Sequence, residues 1–254
     1  MGGTYIRHLR KATVSRISMK NKSPSISIVI PAFNEIENLR ILLPEIRNHT
    51  SRYNDVEVLV VLPTTTKDGE KEEILKLSAI PVIRAPGDTF GDAIRSGLKN
   101  VRLSSNYVIF MDADGSHSPK TLPRLIGETI DNDVDIVIAS RYIHGGSTDN
   151  SLVLRAMSKL LNYTFAFVLG LKIKDISTNF KIYKRELLSD SKLVCKNYDI
   201  VEEILLEAKK IKPTLRVLEI PDHFHERVYG ESKRKLSIFI VTYLATLIRL
   251  RIRK

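Results

Sequence analysis

The chain has 254 residues, 43% of them hydrophobic, and a formal net charge of +11. Length and apolar content exclude a wholly disordered protein and allow one large domain or two small ones. The single cysteine, Cys195, excludes an internal disulfide and fits a reducing compartment. The positive excess points to an anionic partner: nucleic acid, anionic lipid or a phosphorylated substrate.

In chain order, residues 1–24 read as a basic flexible arm. Arg7, Arg10, Lys11, Arg16, Lys20 and Lys22 occur there without an acid, and no apolar run of a secretory signal is present. From residue 25, strand-like and helix-like segments alternate. Strands are expected at 25–30, 56–62, 81–83, 107–111 and 135–139, and helices at 37–46, 71–77, 91–101 and 119–130. That alternation predicts an α/β fold, a mostly parallel, Rossmann-like sheet with helices on both faces. The second half adds a long apolar helix over 151–169 ended by Gly170, a short strand at 182–183, a helix over 200–210 and a strand over 215–220 stopped by Pro221. Residues 235–254 form a basic amphipathic segment too short to span a bilayer, which needs about 20 apolar residues. Lys235, Thr242, Thr246, Arg249 and Arg253 share one narrow face of it. Such a helix either lies on a membrane surface or packs on protein.

The pattern with most chemical content is Asp112-Ala113-Asp114, which ends the apolar run Tyr107-Val108-Ile109-Phe110-Met111. Ligands of open α/β sheets bind beyond the carboxyl ends of the strands. Two hard carboxylates there suit Mg²⁺ or Mn²⁺ held together with substrate phosphates. In isolation, an Asp-x-Asp reads first as a loop with two solvated acids or a helix N-cap, and the flanking sequence has to decide.

That flanking sequence resembles family 2 glycosyltransferases of the GT-A (nucleotide-diphospho-sugar transferase) fold, and within them the polyprenol-phosphate sugar synthases of the dolichol-phosphate mannose synthase kind. The matching segments, in register over about residues 25–250, are Ser27-Ile28-Val29-Ile30-Pro31-Ala32-Phe33-Asn34-Glu35, Gly91-Asp92-Ala93-Ile94-Arg95-Ser96-Gly97, Ala139-Ser140-Arg141-Tyr142-Ile143-His144-Gly145-Gly146, Asp175-Ile176-Ser177-Thr178-Asn179-Phe180-Lys181 and Arg227-Val228-Tyr229-Gly230-Glu231-Ser232-Lys233, besides the Asp-x-Asp. The resemblance implies a GT-A catalytic domain over 25–234. It implies a metal-dependent, inverting transfer of a hexose (mannose or glucose) from a GDP- or UDP-sugar to a polyprenyl phosphate. The enzyme would be cytoplasmic and peripheral at the membrane surface.

On that resemblance, Asp112, Asp114 and Ser116 hold the metal, with Ser116 alternatively an N-cap for the helix that follows. Pro31, Phe33, Glu35, Asp112, Asp114 and Lys233 bind the nucleotide sugar. Arg227 and Lys233 offset charge on the departing diphosphate, and Asp114 stands with them as catalytic. Arg141, Arg155 and Ser158 cradle the acceptor phosphate. Leu160, Leu161, Phe165, Phe167 and Val168 form either a lipid track or ordinary core. Glu203, with Glu202, is the nominated base or orienter, although a phosphate acceptor is largely ionised near neutral pH and needs no strong base. His117, His144, His223 and His225 show no metal-ligand spacing and read as loop residues.

One departure stands out: Leu62 and Pro63 occupy positions where the family carries acids that contact the nucleoside. Glu35 is then expected to carry more of that contact. Two alternatives follow: a family member acting on a glycan or protein hydroxyl, and a non-catalytic member that binds lipid or a membrane partner. Nucleic acid is not expected as a ligand, because no basic-aromatic platform or recognised motif accompanies the charge.

Overall fold

The computed structural model describes residues 24–189 and 191–227. The basic arm at 1–23, the Gly230-Glu231-Ser232-Lys233 stretch and the amphipathic segment 235–254 lie outside the described residues.

The core is a seven-stranded sheet in the order β3-β2-β1-β4-β7-β5-β8. Its strands are β1 (Ser25–Pro31), β2 (Asp55–Leu62), β3 (Ile80–Ile83), β4 (Tyr107–Phe110), β5 (Ile136–Ser140), β7 (Lys181–Lys184) and β8 (Val217–Pro221). All pairings are parallel except those of β7, which runs antiparallel to both β4 and β5. Successive residues of a strand point to opposite faces, and each strand feeds two cores. Val108 and Phe110 of β4 enter one apolar cluster and Ile109 the other. Ile136 and Ile138 of β5 likewise oppose Val137. This explains why the strands read as continuous apolar runs rather than alternating ones.

Helices α1 (Ile36–Thr50), α2 (Asp68–Lys76) and α4 (Leu122–Asp131) cover one face through Leu39, Leu43, Ile74 and Leu125. Helices α3 (Phe90–Asn100), α5 (Leu152–Leu169) and α6 (Ile200–Ile211) cover the other through Ile94, Phe165 and Leu205. Helix α3 begins with a capping box in which Thr89 accepts from the Asp92 N–H and Asp92 accepts from the Thr89 N–H. It sits so close to the sheet that a Cβ on Gly97 would lie 2.3 Å from Val29 Cγ1.

The elements expected between residues 25 and 221 are present, and the departures have local causes. The helix expected over 119–130 opens as a 3₁₀ turn, Pro119–Thr121, before α4 begins. Pro123 has no N–H to give the Pro119 carbonyl, so the first turn closes with Leu122 donating instead. Two strands of two residues each, β6 (Ser147–Thr148) and β9 (His223–Phe224), pair in parallel as a separate ribbon. Among the described residues no helix is long and apolar enough to cross a membrane.

Candidate active site

The parallel strands β1, β2, β4 and β5 end at one edge of the sheet, and β7 starts there because it runs the other way. The loops at this edge carry most of the residues singled out from sequence. After β4, Asp114 turns back on Ser116: its Oδ1 accepts from the Ser116 N–H at 3.0 Å and from the hydroxyl at 2.5 Å. Gly115, with φ of 80°, makes that reversal possible. Ser116 is fully buried and spends its hydroxyl on Asp114, while the N-cap positions of the following 3₁₀ turn and helix are Ser118 and Thr121, so Ser116 orients Asp114 and does not cap.

Asp112 is held differently. Its Oδ1 accepts from the Asn179 amide at 3.0 Å, and its backbone N–H donates to His117 Nδ1 at 3.1 Å. His117 is buried, stacked on Phe180 with ring centroids 5.0 Å apart, and its Nε2 lies 3.9 Å from Asp112 Oδ2. His117 is a loop residue, as its sequence context predicts, and Asn179 carries no signal of this role in the sequence. Both support Asp112, and only the fold brings them to it.

Arg227 closes this cluster. Its Nε lies 3.0 Å from Asp114 Oδ2, and its Nη1 lies 3.6 Å from Glu35 Oε1. Glu35 also accepts from the Asn38 amide. Burial alone would raise the Asp114 pKa, but the Ser116 hydrogen bond and the Arg227 charge outweigh it and keep the carboxyl below its ordinary value. The donor set therefore fits a hard divalent cation: Asp112 and the ionised Asp114 present carboxylate oxygens from one short loop.

The loop after β1 places Pro31 at the strand end and leaves the Phe33 ring exposed under the Arg84 guanidinium, 5.6 Å from its centroid. Arg84, itself buried, donates to the Ala32 carbonyl and to the Asp88 carbonyl at 2.9 Å. Burial draws its pKa down, against the pull of Asp88 and Asp92. Beside Leu62 and Pro63, the Asp88 carboxylate accepts from the Thr64 N–H at 2.8 Å and from its hydroxyl at 2.6 Å. A carboxylate thus stands next to the end of β2, contributed by the β3–α3 loop. Its signal in the sequence was a charged pair, Arg84 and Asp88, around Pro86-Gly87 at the end of an apolar strand.

The residues expected at the acceptor phosphate form a second network. Arg141 is paired in bidentate fashion with the fully buried Asp175, at 2.8 Å and 2.7 Å, and its backbone N–H donates to the same carboxylate at 2.9 Å. Burial opposes ionisation of Asp175, yet the Arg141 charge and hydrogen bonds hold its pKa below the ordinary value. Arg141 also donates to the Ser177 hydroxyl at 2.9 Å. Asn162 of α5 donates to the same hydroxyl at 3.1 Å and to the Ser158 carbonyl at 2.8 Å. Arg141 and Ser158 are thereby linked. Arg155 sits in the first turn of α5 and donates to the Thr148 carbonyl at 2.7 Å. Lys181, fully buried on β7, donates to the Ile176 and Thr178 carbonyls, and burial pushes its pKa down to about 8 against the pull of Glu202 and Asp175.

Glu203 is fully buried, and its Oε2 accepts from the N–H groups of Val194 (2.9 Å) and Cys195 (2.8 Å). That carboxylate orders the chain ahead of α6. The apolar residues of α5 divide between the two readings: Phe165 is core, Leu161 and Val168 pack against it, and Leu160 and Phe167 face outward. Lys233 lies outside the described residues.

A mostly parallel sheet with one reversed strand, carrying an Asp-x-Asp loop at its carboxyl edge, is the GT-A architecture of glycosyltransferases. Glucosyl-3-phosphoglycerate synthase from Mycobacterium tuberculosis, solved with Mn²⁺, UDP and phosphoglyceric acid, superposes with a TM-score of 0.68 at 19% identity, covering 90% of this chain and 78% of that one. The same enzyme solved with Mg²⁺ and UDP gives 0.66 at 18% identity, covering 89% and 79%. The family model for glycosyl transferase family 2 matches residues 27–191, and the chain belongs to that family. Dolichol-phosphate mannosyltransferase of Pyrococcus furiosus is 32% identical over 230 residues, 89% of this chain and 63% of that protein, so the chain spans less than two thirds of that relative. Polyprenol monophosphomannose synthase of Mycolicibacterium smegmatis is 32% identical over 222 residues, covering 81% of this chain and 79% of the relative. Undecaprenyl-phosphate mannosyltransferase of Micrococcus luteus is 29% identical over 211 residues, covering 81% and 85%.

Proposed function

We propose that this glycosyltransferase moves a hexose, mannose or glucose, from a GDP- or UDP-sugar to a polyprenyl phosphate at a membrane surface, with inversion at the anomeric carbon. The observation that carries the reading is the convergence of Asp112, Asp114, Glu35 and Arg227 at the sheet edge, beside a separate cationic network built on Arg141 and α5. The names of the relatives favour a polyprenyl phosphate acceptor and mannose as the sugar.

Asp112 and Asp114 would hold Mg²⁺ or Mn²⁺, which when bound offsets charge on the diphosphate leaving group. Ser116 fixes the Asp114 rotamer, and Asn179 fixes Asp112. Arg227, which stands beside Asp114 and Glu35 with 30% of its side chain exposed, donates to the diphosphate as charge grows there. Lys233 is assigned beside it from the sequence motif. Pro31, Phe33 and Glu35 line the nucleoside side, with Asp88 taking the place of the acids missing at Leu62 and Pro63 and Arg84 holding the Asp88 backbone. Ser158, linked to Arg141 through Asn162 and Ser177, and Arg155, held by the Thr148 carbonyl, receive the acceptor phosphate together with Arg141.

In the transfer, a phosphate oxygen of the lipid forms a bond to the anomeric carbon while the bond to the nucleoside diphosphate breaks on the opposite face. The acceptor is already ionised, so no proton has to leave it. Glu203 is then a positioning group and not a base.

Membrane contact is supported by α5. Val153, Leu160, Tyr163 and Phe167 share one side of the helix at spacings of three, four and seven and are 65% to 78% exposed. A peripheral enzyme using a lipid acceptor has a reason to keep such a stripe next to Ser158.

The test is a transfer assay with GDP-mannose, GDP-glucose, UDP-mannose and UDP-glucose, each with and without Mn²⁺, against a panel of polyprenyl phosphate and free saccharides. Metal-dependent product on the lipid phosphate alone is expected. Product on a saccharide overturns the acceptor. The absence of product and of any nucleotide-induced thermal shift overturns the catalytic reading.

A further inference from the structure

The small β6–β9 ribbon assembles a group of side chains that the sugar-transfer reading does not use. His223 and His225 are two apart on an extended segment, which puts both rings on one side of it. Asp149 directly follows β6. His223 Nε2 lies 3.0 Å from Asp149 Oδ1, and His225 Nδ1 lies 4.0 Å from Asp149 Oδ2. One ligand atom from each of the three residues falls within 4.8 Å of the others. The imidazole rings are 4.4 Å apart at 71°.

The backbone under these groups is fixed. Asp149 N–H donates to the Phe224 carbonyl at 3.0 Å, Glu226 N–H to Asp149 Oδ2 at 3.0 Å, and His225 N–H to the Ser116 carbonyl at 3.0 Å. The Ser147 hydroxyl engages His223 Nδ1 at 2.5 Å. That contact sets the ring's rotation and leaves Nε2 as the ligand atom, the usual arrangement for a metal-binding histidine.

We infer that Asp149, His223 and His225 form a three-ligand site for a borderline transition ion of the Zn²⁺ class, separate from the Asp112–Asp114 loop. Two imidazoles with one carboxylate select Zn²⁺, Ni²⁺ or Cu²⁺ over Mg²⁺ and Mn²⁺. Ligand bonds of about 2.0–2.1 Å at tetrahedral angles put neighbouring ligand atoms roughly 3.3 Å apart. His223 approaches one Asp149 oxygen at 3.0 Å and His225 the other at 4.0 Å, and with the three ligand atoms within 4.8 Å of one another, rotation of the exposed Asp149 and His225 side chains closes the site. The fourth position faces solvent, since Asp149 and His225 are exposed.

The ion would act as a clamp. It ties the segment that presents Arg227 to the turn whose Thr148 carbonyl receives Arg155. Without an ion, the His223–Asp149 contact is a surface contact worth little.

The experiment is a Zn²⁺ titration of the full chain against a chromophoric chelator, in excess Mg²⁺ to fill the carboxylate loop. One Zn²⁺ per chain is expected, retained in Asp112→Asn with Asp114→Asn. In His225→Ala and in Asp149→Asn, affinity should fall roughly tenfold or more, the smallest effect seen even for loss of a supporting group. Co²⁺ in place of Zn²⁺ should give visible absorption bands of a tetrahedral N/O site, absent in both variants. Failure to compete with the chelator, equal affinity in the variants, or loss of binding in the Asp112/Asp114 variant overturns the site. His225 and Asp149 are surface side chains, and a circular-dichroism melt of each variant separates lost binding from lost folding.

Discussion

Two arginine–carboxylate pairs of this molecule, Arg141–Asp175 and Arg227–Asp114, are built differently. Arg141 meets Asp175 through two parallel hydrogen bonds and a third from its own backbone, around a carboxylate with no exposed surface. Arg227 meets Asp114 through one contact of 3.0 Å, shares itself with Glu35 at 3.6 Å, and keeps 30% of its side chain exposed. Burial and bidentate geometry make the first pair costly to open. A single half-exposed contact makes the second exchangeable. The same chemical pairing is thus a buried framework in one place and a single, partly exposed contact in the other, which on the proposed function would be the acceptor and donor sides.

The sharpest way to break this contrast is Asp175→Ala, which strands the Arg141 charge in the interior. It should cost about 3–5 kcal/mol of stability, read from urea denaturation. Because the folded pKa of Asp175 is depressed below its ordinary 3.8, its contribution is complete above that value and is lost as pH falls through the lower folded pKa. Asp175→Asn should accordingly flatten the acid limb of the stability curve.

Next in size is Asp112→Asn with Asp114→Asn, expected to lower transfer by about 10²–10³ while the melting temperature stays close to that of the parent. Arg227→Ala follows, with transfer reduced by roughly 10² and stability changed by about 1 kcal/mol or less. If Arg227→Ala instead destabilised the protein as much as Asp175→Ala, the distinction between buried framework and exposed contact would be lost. The smallest effect is expected at Asp88→Ala, where nucleotide Kd should rise about tenfold, or ~1.4 kcal/mol, measured by isothermal titration. An unchanged Kd would remove Asp88 from the nucleoside side.

The sequence made the frame legible because its strands are apolar on both sides and bounded by Pro, Gly and Asp. The Asp112–Asp114 loop was legible for the same reason, as its position follows from where β4 ends. What could not be read were the partners. Asn179 reaches Asp112 and Asp175 reaches Arg141 only because β7 is inserted between β4 and β5. Spacing along the chain carries no trace of that insertion. His223 and His225 pointed nowhere until a two-residue strand, too short to have a periodicity, set Asp149 beside them. The face of α5 that looks like a lipid track by composition proved to be divided, with Phe165 inward and Phe167 outward, because two positions on a helix are about 200° apart.

The reversed strand β7 also bears on how the enzyme is made. β4 and β5 do not touch each other; β7 is the seam between them, and it is synthesised only after β6 and α5. Closing that seam pairs segments distant in the chain, which is the slow kind of step in folding. The residues just before the seam are Asp175, Ser177 and Asn179, so the event that zips the sheet also docks Arg141 and braces Asp112. Seating β7 and assembling the supports of Asp112 and Arg141 are therefore one structural event.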